Sequence, residues 1–306
     1  MRITNSMLVS SFLGNLNSNL SAMNKYQTQL SSSKRITKIS DDPIGVMSIL
    51  ATKSKLNKLD QYSRNVTEAK SLLTQTETSV NEMNEMVVSL YEQAVSATTD
   101  SKNGDDRKAI AVYVEQLKEQ IFNLGNTTLG DKYVFGGYNT EEPPFKMDGD
   151  VVKYNNVDLI IEDSSDLESQ KIQFEIGKGI KTKVSINGVN LMGKGEDNIL
   201  KIVDDLILAL NSNDTNKISE SVGKLQNKQS DILSVISEIG GNTKRLDIVE
   251  QRYGQDVMNY ETMLSDVEDV DVAKAIMEYK NAEAVYNSAL SIGSKILQPS
   301  LLDFMK

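Results

Sequence analysis

Carboxylate pairs are the places where this sequence could do chemistry. They stand at Asp41-Asp42, Asp105-Asp106 and Asp204-Asp205, with a trio at Glu268, Asp269 and Asp271 and a scatter at Asp158, Glu162 and Asp163. Adjacent carboxylates can exchange protons or hold a hard cation. The rest of the composition gives them little help. The 306 residues include no His, no Cys and no Trp. That excludes Ser-His triads, Cys nucleophiles, His- or Cys-ligated metals and disulfides. Aromatic residues are 6% of the chain, too few for a large aromatic-lined pocket. Lys and Arg number 33 against 43 Asp and Glu, a net charge of −10, which argues against broad binding to a phosphate backbone.

Each cluster also has a structural reading. Asp41-Asp42 is followed by Pro43, and the set Ser40, Asp42 and Pro43 reads as a helix cap. Asp42 would accept from free N–H groups, and Pro43 would sit where a missing N–H costs nothing. Asp105-Asp106 and Asp204-Asp205 read as acidic residues in first helical turns. Glu268, Asp269 and Asp271 lack further ligands at metal spacing. Lys34-Arg35 is a short basic pair, and Gly177-Lys178-Gly179 is a turn without the strand-to-helix setting of a phosphate loop. No catalytic constellation, cofactor site or metal site emerges.

The elements that carry these residues are mostly helices. Val9, Leu13, Leu16, Leu20, Met23, Gln27 and Leu30 alternate steps of four and three. The same spacing runs from Leu59 to Ala94, from Ile110 to Leu124, from Ile218 to Leu264 and from Ala275 to Ile296. A repeat averaging 3.5 keeps one seam facing a partner helix. The Tyr and Met residues fall mostly in these seams and read as core. The pair Gly240-Gly241 interrupts the fourth run and predicts a bend or a close backbone contact, with a break into two helices as the competing reading.

Between Gly136 and Lys194 the period changes to two. Val151, Val152 and Tyr154, then Ile172, Phe174 and Ile176, then Val184 and Ile186 read as short strands, with hairpin-type signals at Asp148-Gly149 and Asn187-Gly188. The expected fold is mainly α: a long antiparallel coiled-coil-like helical rod built from both chain ends, with a small β-rich insert at its far end. The expected segments are 1–42 with 265–306 at the termini, 43–137 with 197–264 in the rod, and 138–196 in the insert. The terminal segments are amphipathic but rich in Asn, Ser and Ala, poor nuclei with little apolar area. They are expected to be disordered in the monomer and to order on meeting partners. The uncharged stretch Ile3–Asn24 is too broken by Ser and Asn to read as a cleavable signal.

Some of these residues resemble a known family. Met1-Arg2-Ile3-Thr4-Asn5-Ser6-Met7, Asn15-Leu16-Asn17, Gln29 to Ile36 and Ser40-Asp41-Asp42-Pro43 are similar to the N-terminal signature of the flagellin superfamily. Tyr133-Val134-Phe135-Gly136-Gly137-Tyr138-Asn139-Thr140 with Pro143-Pro144-Phe145 resembles the signature of its hook–filament junction branch. The region of Tyr286 and the ending Leu301-Leu302-Asp303-Phe304 fit the same family. Ser33 stands where the family usually has Gly.

The resemblance implies a non-enzymatic structural subunit of the bacterial flagellum, an adaptor at the hook–filament junction. It would be exported without a cleaved signal peptide and located outside the cell. The implied partners are further copies of itself, the first junction protein, flagellin, and a cytoplasmic export chaperone at the C-terminal segment, with no nucleic acid and no membrane insertion. The implied assembly interface pairs Val9, Leu13, Leu16, Leu20, Met23 and Leu30 with Tyr279, Ala282, Tyr286, Ala289 and Ile296. Flagellin itself is the alternative. A carboxylate-only enzyme in the insert, using Asp158, Glu162 or Asp163, is a third reading from a different class.

Overall fold

The computed structural model describes residues 5–99, 102–148, 151–158 and 172–296. Among them are seven α-helices and seven short strands. In chain order they are α1 (Asn5–Ser32), α2 (Pro43–Thr98), α3 (Gly104–Gly125), β1 (Thr128–Leu129), β2 (Lys132–Tyr133), β3 (Phe145–Asp148), β4 (Val151–Tyr154), β5 (Val157–Asp158), β6 (Gln173–Gly177), β7 (Ile180–Lys183), α4 (Gly188–Met192), α5 (Ile199–Ser212), α6 (Thr215–Glu268) and α7 (Val272–Ile296). No described helix is long and apolar enough to cross a membrane. The described residues divide between two compact units, Leu59–Gly254 and Met1–Lys58 with Gln255–Lys306.

Side-chain caps set the helix starts in the larger unit. Asn103 accepts from the N–H groups of Asp105 and Asp106 while Asp106 accepts from the N–H of Asn103, a reciprocal capping box. Asn198 accepts from Leu200 and Lys201 to open α5. Asn213, left-handed at φ 57°, ends α5, and Asp214 accepts from Asn216 and Lys217 to start α6. Asp204 and Asp205 are therefore mid-helix rather than in a first turn, and Asp204 accepts from the Lys118 ammonium at 2.5 Å. The helix α6 runs unbroken through Gly240-Gly241, and a side chain at either position would meet nothing within 4 Å. Neither a break nor a close contact accounts for the pair.

The seams of α2 and α6 meet in one core. Val66, Leu73, Val80, Val87 and Leu90 of α2 are fully buried, as are Ile218, Leu225, Ile232, Ile239 and Leu246 of α6. The inner faces of α3 and α5 join the same cluster through Val114, Ile121, Ile202 and Leu206. Arg107 is 5% exposed and ties this layer together. It donates to the carbonyls of Ala97 at 2.9 Å and Thr99 at 3.4 Å, past the α2 end, and to Asn213 Oδ1 at 2.5 Å. Those carbonyls have no helical partner of their own.

The strands form three antiparallel sheets, β1-β2, β3-β4-β5 and β6-β7. Asp148 pairs with Val151 across the β3–β4 hairpin. Gly179, at φ 72°, sits in the turn between β6 and β7. Asn187-Gly188 makes no hairpin. Asn187 caps α4 by accepting from the N–H of Val189, and Gly188 lies against the rings of Phe145 and Tyr154, where a Cβ would collide with both. Val184 and Ile186 are buried in the extended stretch beyond β7.

The insert is not at the far end of the helices. Tyr253 of α6 donates to the carbonyl of Ile176, Asn65 of α2 donates to the carbonyl of Glu175 at 2.8 Å, and Tyr62 stacks on Tyr253 at 6.3 Å. The β6–β7 hairpin thus lies at residues 62–65 of α2, while Arg107 and Asn213 mark the other end. The cause is α3, whose 22 residues bring the chain back by about 33 Å before the first strand begins.

Candidate assembly site

The residues that resembled a junction signature form a packing hub. Phe135, Phe145 and Tyr154 are fully buried, and the last two rings lie 5.2 Å apart at 55°. Tyr154 donates its hydroxyl to the carbonyl of Phe135 at 2.7 Å, and burial pushes its pKa well above that of a free phenol. Asn126 accepts from the N–H of Phe145 and donates to its carbonyl, both at 3.0 Å. A Cβ on Gly136 would overlap the carbonyl of Asn139, so the turn requires glycine there. Asn155 donates to the carbonyl of Gly136 at 3.0 Å, and its buried Oδ1 is left without a partner. The side chains of Asp158, Glu162 and Asp163 lie outside the described residues.

The terminal helices form the other candidate site. α1 and α7 pair antiparallel: Phe12 near the start of α1 packs on Gly293 near the end of α7, and Lys34 bridges Asp269 at the opposite ends. Val9, Leu16, Leu20, Met23 and Leu30 are half-buried, as are Tyr279, Ala282, Tyr286 and Ala289. Leu13 is 47% exposed, and the side chain of Ile296 lies outside the described residues. The expected interface residues are thus distributed on both helices of one pair. Phe12 and Gly293 were not among them, although an aromatic side chain opposite the single glycine of α7 was a usable signal. Exposed apolar side chains remain on the pair, including Leu8, Met277, Val285, Leu290 and Ile292. No charged residue occurs in 5–24 or 284–294.

A latch holds the two crossovers together. The N–H of Arg35 donates to the carbonyl of Glu268 at 2.7 Å, and that of Val270 to the carbonyl of Ser33 at 3.1 Å. The Arg35 guanidinium donates to the carbonyl of Val267 at 2.9 Å, near the C-terminal end of α6, and to Asp42 at 3.3 Å. Glu268, with 9% of its side chain exposed, pairs with Lys34 at 2.5 Å and Lys53 at 2.8 Å. Burial opposes its ionisation, but the two ammonium groups outweigh burial and hold its carboxyl below the usual range. Lys34-Arg35 and Glu268-Asp269, two clusters without an obvious role in sequence, are each other's partners. Ser33 is left-handed at φ 56°, the conformation that favours glycine.

The cap at α2 divides its labour. Asp42 accepts from the N–H of Gly45 at 2.8 Å, α2 starts at Pro43, and that N–H with the Arg35 guanidinium keeps the Asp42 carboxyl low. Asp41 instead accepts from the N–H groups of Lys38 and Thr37, which lower its pKa, Lys38 most. Ser40 is exposed and makes no cap hydrogen bond.

Residues 3–140 match the family of the bacterial flagellin N-terminal helical region. Over 305 residues, 94% of this chain and 96% of the relative, the chain is 24% identical to flagellar hook-associated protein 3 of Escherichia coli. Along nearly its whole length this chain is similar to flagellar hook-associated protein 3. Solved structures share the fold. A putative flagellar hook-associated protein of Vibrio parahaemolyticus superposes at a TM-score of 0.67 with 18% identity, over 75% of this chain and 100% of that one. FlgL of Xanthomonas campestris superposes at 0.61 with 15% identity, over 70% and 99%.

Proposed function

We propose that this chain is a non-enzymatic structural subunit of the bacterial flagellum, an adaptor between hook and filament that assembles through α1 and α7. The observation that carries the reading is the alignment along nearly the whole length of a hook-associated protein 3, 94% of this chain and 96% of the relative. The exposed, uncharged apolar surface of the α1–α7 pair supports it, because such a surface suits a neighbour that covers it. In this reading, neighbouring copies, a hook-side junction protein and flagellin cover the pair, the chain is exported without a cleaved signal, and a cytoplasmic chaperone holds the C-terminal segment until export. Deleting the gene and imaging the cells tests it. The expected result is hooks without filaments and flagellin shed into the medium as monomer; intact filaments would overturn the adaptor role. The flagellin alternative has the match to the flagellin N-terminal helical region in its favour. Seeded, concentrated chain that grows long filaments would select it.

A further inference from the structure

The smaller unit is electrically polarised. Residues 25–58 carry seven basic residues and two acidic ones, whereas residues 255–273 carry six acidic residues and no basic one. Some of these charges are spent inside the chain, as at Glu268. Others are not: among the described residues, Lys58, Glu261 and Asp266 are exposed and form no ion pair.

Each charged stretch borders uncovered apolar side chains. On α2, Ile44 is 82% exposed, Met47 73% and Leu50 63%. Ile44, Met47, Lys55 and Lys58 fall on one helical face at offsets of 0, 3, 11 and 14. On α6, Met258 is 62% exposed, and Glu261 and Asp266, at offsets of 3 and 8 from it, are exposed on its side of the helix. Methionine is flexible and polarizable, which suits a surface that must pack against another.

We propose that the basic and apolar face of α2 in one copy docks on the acidic and apolar face of α6 in a second copy of this chain. Ile44, Met47 and Leu50 meet Met258, while Lys58, with Lys55 turned from the Tyr260 ring of its own chain that it lies over at 5.2 Å, faces Glu261 and Asp266. The proposal rests on the assembly reading and names the partner of a surface outside the α1–α7 pair. Charge complementarity selects a second copy. At net −10 two copies repel over most of their surface, and here each presents the opposite sign to the other. The two faces differ, so the contact is heterologous and each copy keeps one of each for the next neighbour. The area is small and the charges are exposed, so the contact is weak in dilute solution and forms when assembly raises the local concentration.

The absence of cysteine makes a clean test. Full-length Met47→Cys chain is mixed with full-length Met258→Cys chain under mild oxidation, and the rate of the mixed disulfide dimer is measured. Val112→Cys, 59% exposed on α3, replaces the second partner as the collision control. The expected rate exceeds the control about tenfold at low salt and falls toward it at high salt. Adding Lys55→Glu and Lys58→Glu to the first chain abolishes the excess, and adding Glu261→Lys and Asp266→Lys to the second restores it. The restoration also shows that the reversed chains are folded. A rate equal to the control, or one indifferent to charge reversal, overturns the docking. In cells, filaments that survive gene deletion would overturn the assembly reading itself. Filaments lost on deletion but fully restored by the Lys55→Glu, Lys58→Glu chain would overturn the docking alone.

Discussion

Between Leu59 and Gly254 the buried apolar residues form one continuous cluster, from Val66 of α2 through Phe135 and Tyr154 to Tyr253 of α6. In the other unit the buried apolar residues, among the described ones, are Ile36, Ile49 and Ala275. That unit exposes Ile39, Ile44, Met47, Leu50, Met258 and Met277 instead. Both units are built from the same heptad spacing, and α2 and α6 contribute to both. What differs is the number of layers. In the larger unit α3, α5 and the strands cover the long helices, so apolar surface leaves water. In the smaller one α1, α7, the latch and the ends of α2 and α6 cover each other only in part. A repeat of 3.5 therefore indicates a helix with a seam, and the neighbours decide whether that seam stabilises the monomer or waits for a partner.

The largest test of the contrast is a pair of truncations. Phe135→Ala empties a fully buried site and should cost about 3–5 kcal/mol in denaturant unfolding. Ile44→Ala, at an 82% exposed position, should stay within about 0.5 kcal/mol. Equal losses would erase the distinction. Limited trypsin digestion asks the same of the whole chain. Cleavage should begin at Lys34, Arg35 and Lys38, and a product spanning at least 59–254 should persist, because segments with few buried contacts open most often. Termini that last as long as the body would contradict the comparison.

Next in size is Arg107. The residue is 5% exposed, and its guanidinium satisfies two carbonyls and an asparagine oxygen. Arg107→Met keeps much of the stem and removes the donor to the Ala97 carbonyl and Asn213 Oδ1, while the Thr99 carbonyl keeps the Lys102 N–H, at a cost of about 2–3 kcal/mol. A loss below about 0.5 kcal/mol would show that water replaces the guanidinium there.

Helix extents were largely legible in the sequence, because the period survives over many turns: the run Leu59–Ala94 lies within α2, Ile110–Leu124 within α3, and the run from Ile218 crosses the glycine pair inside α6. The position of the insert was not. Period-two spacing marks strands but not which stretch of a helix they cover, and the return of the chain along α3 moves the insert back to Asn65 and Tyr253. Asn187-Gly188 has hairpin composition, yet Phe145 and Tyr154 demand a glycine and Val189 takes the cap. Methionines expected in seams divide between Met83 and Met192, fully buried, and Met47, Met258, Met263 and Met277, exposed. The latch was hidden because its partners stand more than 230 residues apart, Arg35 on one side and Val267 on the other.

The latch gives a smaller effect with a pH signature. The carboxyl of Glu268 is held low in the folded chain, so its contribution is present above its ordinary value of 4.5 and is lost as pH falls through the lower folded value. Lys34 and Lys53 are 47% and 41% exposed and regain water when the pair is broken, which limits the loss in Glu268→Gln to about 1 kcal/mol at neutral pH. Protection of the Arg35 and Val270 amides against hydrogen exchange should drop in the acid range for the native chain. It should already be reduced, without that acid step, in Glu268→Gln. An acid step that survives the substitution would assign it to Asp41 or Asp42, whose carboxyls are also held low.

The smallest effect has the opposite sign. Gly240 and Gly241 are exposed within α6, and a methyl at either position meets nothing within 4 Å. Glycine in a helix interior loses more backbone freedom on folding than alanine and costs up to about 1 kcal/mol. No packing contact at this site offsets that cost. Gly240→Ala and Gly241→Ala should therefore each stabilise the larger unit by about 0.5–1 kcal/mol, nearly additively if each acts only on the backbone. The same substitutions should leave protection at the latch unchanged, since the latch lies in the other unit. If stability rises while filament formation in cells falls, the glycines serve a bending of α6 within the assembly that the single chain has no need to make.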